Sequence, residues 1–307
     1  MSEKIYQTTQ IEGKLSTIHI TYSGDPSTGP VLLFYHAEFL NSDLCFGPLL
    51  DHPLFKEYLA SKFAIVCIDA PGHNENSKDI DKEEKVFSID NLMSEVDTVV
   101  NTLGIEEFVS ISCGWLGTYL FLNYALANSN KFRGMVFIGG SLEACNWFEW
   151  STNKVLETSI KWGFFGAWQA GKIVERYLPS EWIEKNKSTC SKIEKKIKQL
   201  NPIALHKCFE FCSSRLNVEK KISSLEILCL NYAGGLSINY EQSLEINSLI
   251  ETGYSSLINL SHCGTLITVQ EPISIIDPLC QFLKGCGFTS VKSPSIKEIK
   301  IWKAKEK

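Results

Sequence analysis

The chain has 307 residues, 44% hydrophobic and 21% charged, with a net charge of −5. That length allows one large domain or two small ones with an ordinary globular core. The acidic balance excludes a general electrostatic pull toward nucleic acid or an anionic membrane, and no apolar run approaches the roughly 18 residues of a spanning helix, so no integral membrane association is expected.

Taken in chain order, Thr17 to Tyr22 alternates like an early strand. Val31 to Tyr35 and Phe63 to Ile68 are continuous apolar runs, ending at His36 and Asp69. Such runs fit strands buried on both faces, hence a parallel sheet covered by helices. Asp69-Ala70-Pro71-Gly72-His73 reads as a turn, with Asp69 as a structural cap and His73 facing a cleft. Ser88 opens a helix with Leu92, Val96, Val99 and Leu103 on one face, and Gly104 closes it. Phe108 to Ile111 is the next strand, Tyr119 to Ala127 a helix, and Gly134 to Gly140 a strand again. The alternation predicts a doubly wound α/β sheet.

From 146 to 221 the strand rhythm stops, and the segment is helical and rich in lysine and aromatics. It is expected to cap a cleft over a core made of 1–145 and 222–291. Trp147, Trp150, Trp162 and Trp168, with Phe148, Phe164 and Phe165, gather at its start. They would seal cap to core or offer a docking surface. Strands are expected at Leu225 to Leu230 and Leu257 to Leu260, then a closing helix from Ile273 to Leu283. The tail 292–307 is basic and is expected to be a frayed, solvated end.

The eleven cysteines are odd in number, irregularly spaced and partly inside apolar runs, as Cys67 is. Free buried thiols in a reducing compartment follow. Met1 to Gln7 has no apolar core of a leader, so the expected location is cytoplasmic. His206, Cys208 and Cys212 lie close together, but they lack the paired motif of a zinc site and read as core packing. There is no phosphate loop or dinucleotide fingerprint, so neither metal nor cofactor is expected.

Three segments carry a resemblance. Val31 to Phe46 contains Tyr35-His36, Asn41 and Cys45-Phe46; Phe63 to Gly72 ends in Ile68-Asp69-Ala70-Pro71-Gly72; and Glu143 to Trp150 contains Trp147-Phe148-Glu149-Trp150. In this order and spacing, with Phe282 to Phe288 near the end, they resemble the N-myc downstream-regulated (NDR) family over roughly residues 10–293. The resemblance implies an α/β-hydrolase fold without hydrolase activity, acting in signalling, stress response or trafficking through protein partners.

The hydrolase slots are then checked one by one. A hydrolase carries its nucleophile in Gly-x-Ser-x-Gly on a tight strand-to-helix turn. Read back from Tyr119, Cys113-Gly114-Trp115-Leu116-Gly117 takes that place and puts Trp115 in the nucleophile slot; read from the strand side, the slot holds Ser112 or Cys113. The acid slot reads Asn231-Tyr232, giving Tyr232, and the base slot holds Thr265, with His262 three residues upstream. Trp115 is expected to fill the old substrate space, its N–H finding an acceptor. His36 stands where hydrolases carry His-Gly, but Ala37-Glu38 replaces the glycine. His36, His73, Ser112, Cys113 and His262 are the residues expected near a cleft. The competing readings are a residual esterase-like hydrolase using Ser112 or Cys113 with His262 or His73, and a small-ligand sensor without turnover.

Overall fold

The computed structural model describes residues 6–14, 16–77, 80 and 86–305; Met1 to Ile5, most of the segment expected to lack a leader's apolar core, and Lys307 of the basic tail lie outside them. Eight strands form one sheet: β1 (Gln7–Glu12), β2 (Thr17–Ser23), β3 (Val31–Tyr35), β4 (Ala64–Asp69), β5 (Phe108–Cys113), β6 (Phe132–Ile138), β7 (Cys229–Gly234) and β8 (Ser255–Leu260). Their order is β1-β2-β4-β3-β5-β6-β7-β8. β1 and β2 pair antiparallel, as do β2 and β4, and every pairing from β4 through β3 to β8 is parallel. The fully buried runs of β3, β4 and β5 lie at the centre. There, helices cover both faces, which is why these strands show no alternation.

On the N-terminal half the helices are α1 (Ser42–Asp51), the short α2 (Pro53–Phe55), α3 (Ile89–Thr102) and α4 (Gly114–Ala127). Asn41 caps α1, its side chain accepting the Leu44 N–H, and Ser88 caps α3 in the same way at Asn91. Asp69, at the end of β4, fixes the start of α1: it accepts the Ser42 N–H at 2.8 Å and the Ser42 hydroxyl at 2.5 Å, and meets His19 Nδ1 at 2.9 Å. Burial pushes the Asp69 carboxyl up, but His19, His36 and Ser42 outweigh it and hold it low.

Between β6 and β7 come five helices: α5 (Trp147–Lys161), α6 (Ala167–Tyr177), α7 (Ser180–Lys185), α8 (Lys187–Ile197) and α9 (Pro202–Ser213). α10 (Tyr240–Leu249), α11 (Ile267–Gln270), α12 (Ile273–Gly285) and α13 (Ile296–Lys305) complete the chain. Among the described residues no helix is long and apolar enough to cross a membrane. All eleven cysteines are free, ten of them buried.

Three expectations change. β1 escaped the sequence because Gln7-Thr8-Thr9-Gln10 is an exposed polar edge with no apolar alternation. β7 is not Leu225 to Leu230 but starts at Cys229 and runs on through Tyr232, which pairs with Ile138 on one side and Ile258 on the other. The basic tail is not a frayed end through its length: α13 packs Ile299 and Trp302, three residues apart on one face, against the core, and Tyr58 donates to Glu298 at 2.9 Å.

Candidate functional site

The turn after β5 is built on Gly114. Cys113 is extended, and Gly114, the first residue of α4, has φ +63°. A side chain there would also collide: a Cβ would lie 2.7 Å from the Ala37 Cβ and 3.0 Å from Glu38 Oε2. Glycine alone takes that left-handed backbone freely. The residue at the tip is therefore neither Trp115 nor Ser112 nor Cys113. Counting back from Tyr119 stops one residue short of the tip. Ser112 and Cys113 belong to β5 and are buried. The Ser112 hydroxyl donates to the Val136 carbonyl at 3.1 Å and lies 3.3 Å from Thr118 Oγ1.

The first turn of α4 exposes backbone donors that a helix cannot satisfy internally. Glu38, in the loop after β3, fills them. Its Oε2 accepts the N–H of Trp115 at 3.0 Å and of Leu116 at 3.2 Å. In a hydrolase the N–H of the residue after the nucleophile forms half of the oxyanion hole. Here that N–H belongs to Trp115 and holds the chain's own carboxylate. Phe39, next in the loop, is held at φ +63°. That is a strained conformation for a side-chain-bearing residue. It is retained by stacking on Phe209 of α9 at 3.7 Å and by the Arg176 guanidinium over its ring at 5.4 Å.

A buried chain of charges continues from Glu38 into the helices between β6 and β7. Arg176 Nε lies 3.4 Å from Glu38 Oε1, a pair held by charge rather than by an aligned hydrogen bond. Arg176 also binds Glu149, which Arg215 clasps with both terminal nitrogens at 2.8 and 2.5 Å. Burial pushes the Glu149 carboxyl up, but the two arginines outweigh it and keep it low. Burial lowers both arginines, and Glu38 and Glu149 help drive them up instead. Tyr177 donates to the Glu38 carbonyl, closing the loop.

Trp115 is 1% exposed. Its ring lies 5.0 Å from Tyr119 and 5.4 Å from Phe211 of α9, with the Arg215 guanidinium 5.0 Å above it. Contrary to expectation, its indole N–H finds no hydrogen-bond acceptor among the described residues. Tyr232 does not follow β7 but sits inside it, donating to the Ile275 carbonyl at 2.8 Å. The strand ends at Gly234, and Gly235 follows it. Thr265, after β8, is buried, and its hydroxyl meets that of Ser237 at 2.7 Å.

The histidines are engaged elsewhere. His36 is buried; its Nε2 accepts the Ala70 N–H at 2.8 Å, so Nδ1 carries the proton toward the Ala37 carbonyl at 2.7 Å. Burial lowers its pKa. His73 is buried, its Nδ1 facing the Pro71 carbonyl at 3.0 Å, and burial lowers its pKa to about 3. His262 is exposed and pairs with Glu271 at 2.5 Å. His206 lies 3.7 Å from Glu157 rather than joining the cysteines, while Cys208 and Cys212 pack into the core. The buried positions of His36, His73, Ser112 and Cys113 correct their reading as cleft-lining. A cleft of about 460 Å³ instead opens beside the charge network, lined by Phe39, Glu149, Arg176, Phe209 and Asn239 among others.

A mostly parallel sheet of this order, with a left-handed residue at the junction of β5 and α4, defines an α/β-hydrolase-fold protein. Solved structures agree. An esterase from Thermogutta terrifontis superposes with a TM-score of 0.76 at 15% identity, over 91% of this chain and 99% of that one. An enol-lactonase from Burkholderia xenovorans LB400 gives 0.76 at 11%, over 90% and 100%. Among sequence relatives, an NDRG-like protein of Dictyostelium discoideum is 24% identical, covering 90% of this chain and 84% of its own. The pollen-specific protein SF21 of Helianthus annuus is 24% identical over 88% and 78%. The sequence profile of the Ndr family matches residues 8–290, and the chain belongs to that family.

Glu38, Gly114, Arg176, Glu149 and Arg215 were not singled out by the sequence reading. One signal was present: the replacement of the glycine after His36 by Ala37-Glu38.

Proposed function

We propose that this chain is a non-hydrolytic α/β-hydrolase-fold protein that acts by binding protein partners in signalling, stress response or trafficking, in the cytoplasm. The observation that carries the reading is the occupation of the α4 N-terminus by Glu38, beside a turn whose tip residue, Gly114, has no side chain. A hydrolase needs a nucleophile at that tip and free donors for the developing oxyanion. A carboxylate lodged on the donors repels exactly the charge they would stabilise. Further support comes from Thr265, which offers a hydroxyl bonded to Ser237 where a hydrolase has an imidazole. The residues 146–221 then serve as a cap fastened to the core rather than as a lid over substrate. A residual hydrolase using Ser112 or Cys113 finds less support, since His73 is bonded to Pro71 and His262 to Glu271.

A fluorophosphonate probe tests this directly. Intact-mass analysis after incubation should show unlabelled protein. A single adduct mapping to Ser112 would overturn the reading. Affinity capture of the folded chain, followed by mass spectrometry, should recover specific protein partners that a heat-unfolded control does not.

A further inference from the structure

The helices between β6 and β7 carry a surface feature that the buried charge network does not explain. Trp147, Phe148, Trp150, Trp162, Phe164 and Trp168 are 44–78% exposed. Four of the chain's seven tryptophans thus face solvent on α5, α6 and the turn between them. Trp150, Trp162, Phe164 and Trp168 share one shallow apolar groove of about 800 Å³. Contiguous exposed apolar surface of this kind marks a contact site.

The charges around it are sorted. α5 has two carboxylates, and both turn inward: Glu149 to Arg176 and Arg215, Glu157 to Lys154, at 14% and 3% side-chain exposure. Its outer face, at spacings of three and four, presents Trp147, Trp150, Lys154, Val155, Thr158 and Trp162. Lys161 is exposed at the end of α5 beside the aromatic turn, whereas Lys172 on α6 is paired with the exposed Glu175. Residues 146–221 hold 14 basic and 8 acidic residues, a net of +6, on a chain whose total is −5. Most of that excess lies on the helices after α6; the groove itself is lined by Lys154 and by no carboxylate. At its crest, Gly163 has φ +86° and, among the described residues, nothing within 4 Å of where a Cβ would stand, so Trp162-Gly163-Phe164 projects outward as a wedge.

We propose that this aromatic and lysine face docks the protein on the surface of a bilayer containing anionic phospholipid. Tryptophan favours the headgroup level, where its apolar body is buried and its N–H stays wet. Lysines beside it draw in anionic headgroups. The contact is peripheral, since no described helix is long and apolar enough to cross a membrane. The proposal does not depend on the absence of hydrolysis.

The test is co-sedimentation of the full chain with vesicles of phosphatidylcholine alone, or with added phosphatidylserine. The wild type should pellet with the anionic vesicles, less so at high salt, and its tryptophan emission should shift to the blue. Trp162→Ala/Phe164→Ala/Trp168→Ala should lose about tenfold in partitioning, because the interfacial apolar area sets the affinity. Lys161→Gln should weaken the salt dependence. These side chains are exposed, so circular dichroism melts of both variants should match the wild type. No pelleting of the wild type, or equal pelleting of the aromatic variant, would overturn the proposal. So would a wild-type dimer in light scattering that the aromatic variant converts to monomer, since the face would then belong to a second copy.

Discussion

Replacing Glu38 with alanine should cost about 3–5 kcal/mol of folding stability, the range for breaking a buried ion pair from one side. The components come from the contacts. Two backbone N–H groups, of Trp115 and Leu116, lose their acceptor in a site where Glu38 is fully buried. Each buried donor left unsatisfied costs about 1–3 kcal/mol. Arg176 keeps Glu149 but loses its second carboxylate. Glu38→Gln retains an oxygen for the two N–H groups and removes only the charge, so its cost should be smaller, about 1–2 kcal/mol. Urea unfolding followed by circular dichroism measures both, as a fall in midpoint with unchanged slope. The order wild type, then glutamine, then alanine is the expected result. An alanine variant within about 0.5 kcal/mol of wild type, the ordinary scatter of surface substitutions, would refute the claim that this carboxylate is built into the fold.

Three further outcomes are expected. Trp115→Ala should lose about 3–5 kcal/mol through the cavity left among Tyr119, Phe211 and Arg215, read as a lower melting temperature. Gly114→Ser should lower the melting temperature and create no esterase, because its Cβ would sit 2.7 Å from the Ala37 Cβ and 3.0 Å from Glu38 Oε2. Burial pushes the Glu95 carboxyl up to about 7, against the opposing hydrogen bond from Ser16. The folded chain thus keeps a proton that the unfolded chain releases near 4.5, and stability falls as pH rises from there to 7. Glu95→Gln should abolish that slope and stabilise the protein at pH 8, by up to about 3 kcal/mol; stability measured at pH 5 and pH 8 checks it.

The parallel strands were legible because β3, β4 and β5 are buried on both faces and read as unbroken apolar runs. The helices between β6 and β7 were legible as a change of rhythm. The site was not, because its chemistry is a matter of one-residue register. Gly114 and Trp115 are neighbours in sequence, yet only the backbone angle of Gly114 says which tops the turn. Tyr232 looked like the end of a strand because the strand was placed too early. The charge network spans Glu38, Glu149, Arg176 and Arg215, separations that no local pattern reports. A faint signal lay in side-chain choice: the chain has only three arginines among its 30 basic residues, and two of them are in the network. Arginine's planar fork suits buried carboxylates as lysine does not. The aromatics at 147–168 were visible as composition, but whether they faced the core or the solvent was not.

The measurement that tests non-hydrolytic behaviour most directly is turnover of activated p-nitrophenyl esters by purified wild type beside Ser112→Ala and Cys113→Ala. The three proteins should all match the buffer blank. Turnover that survives further purification of the wild type and disappears in either variant would contradict the account.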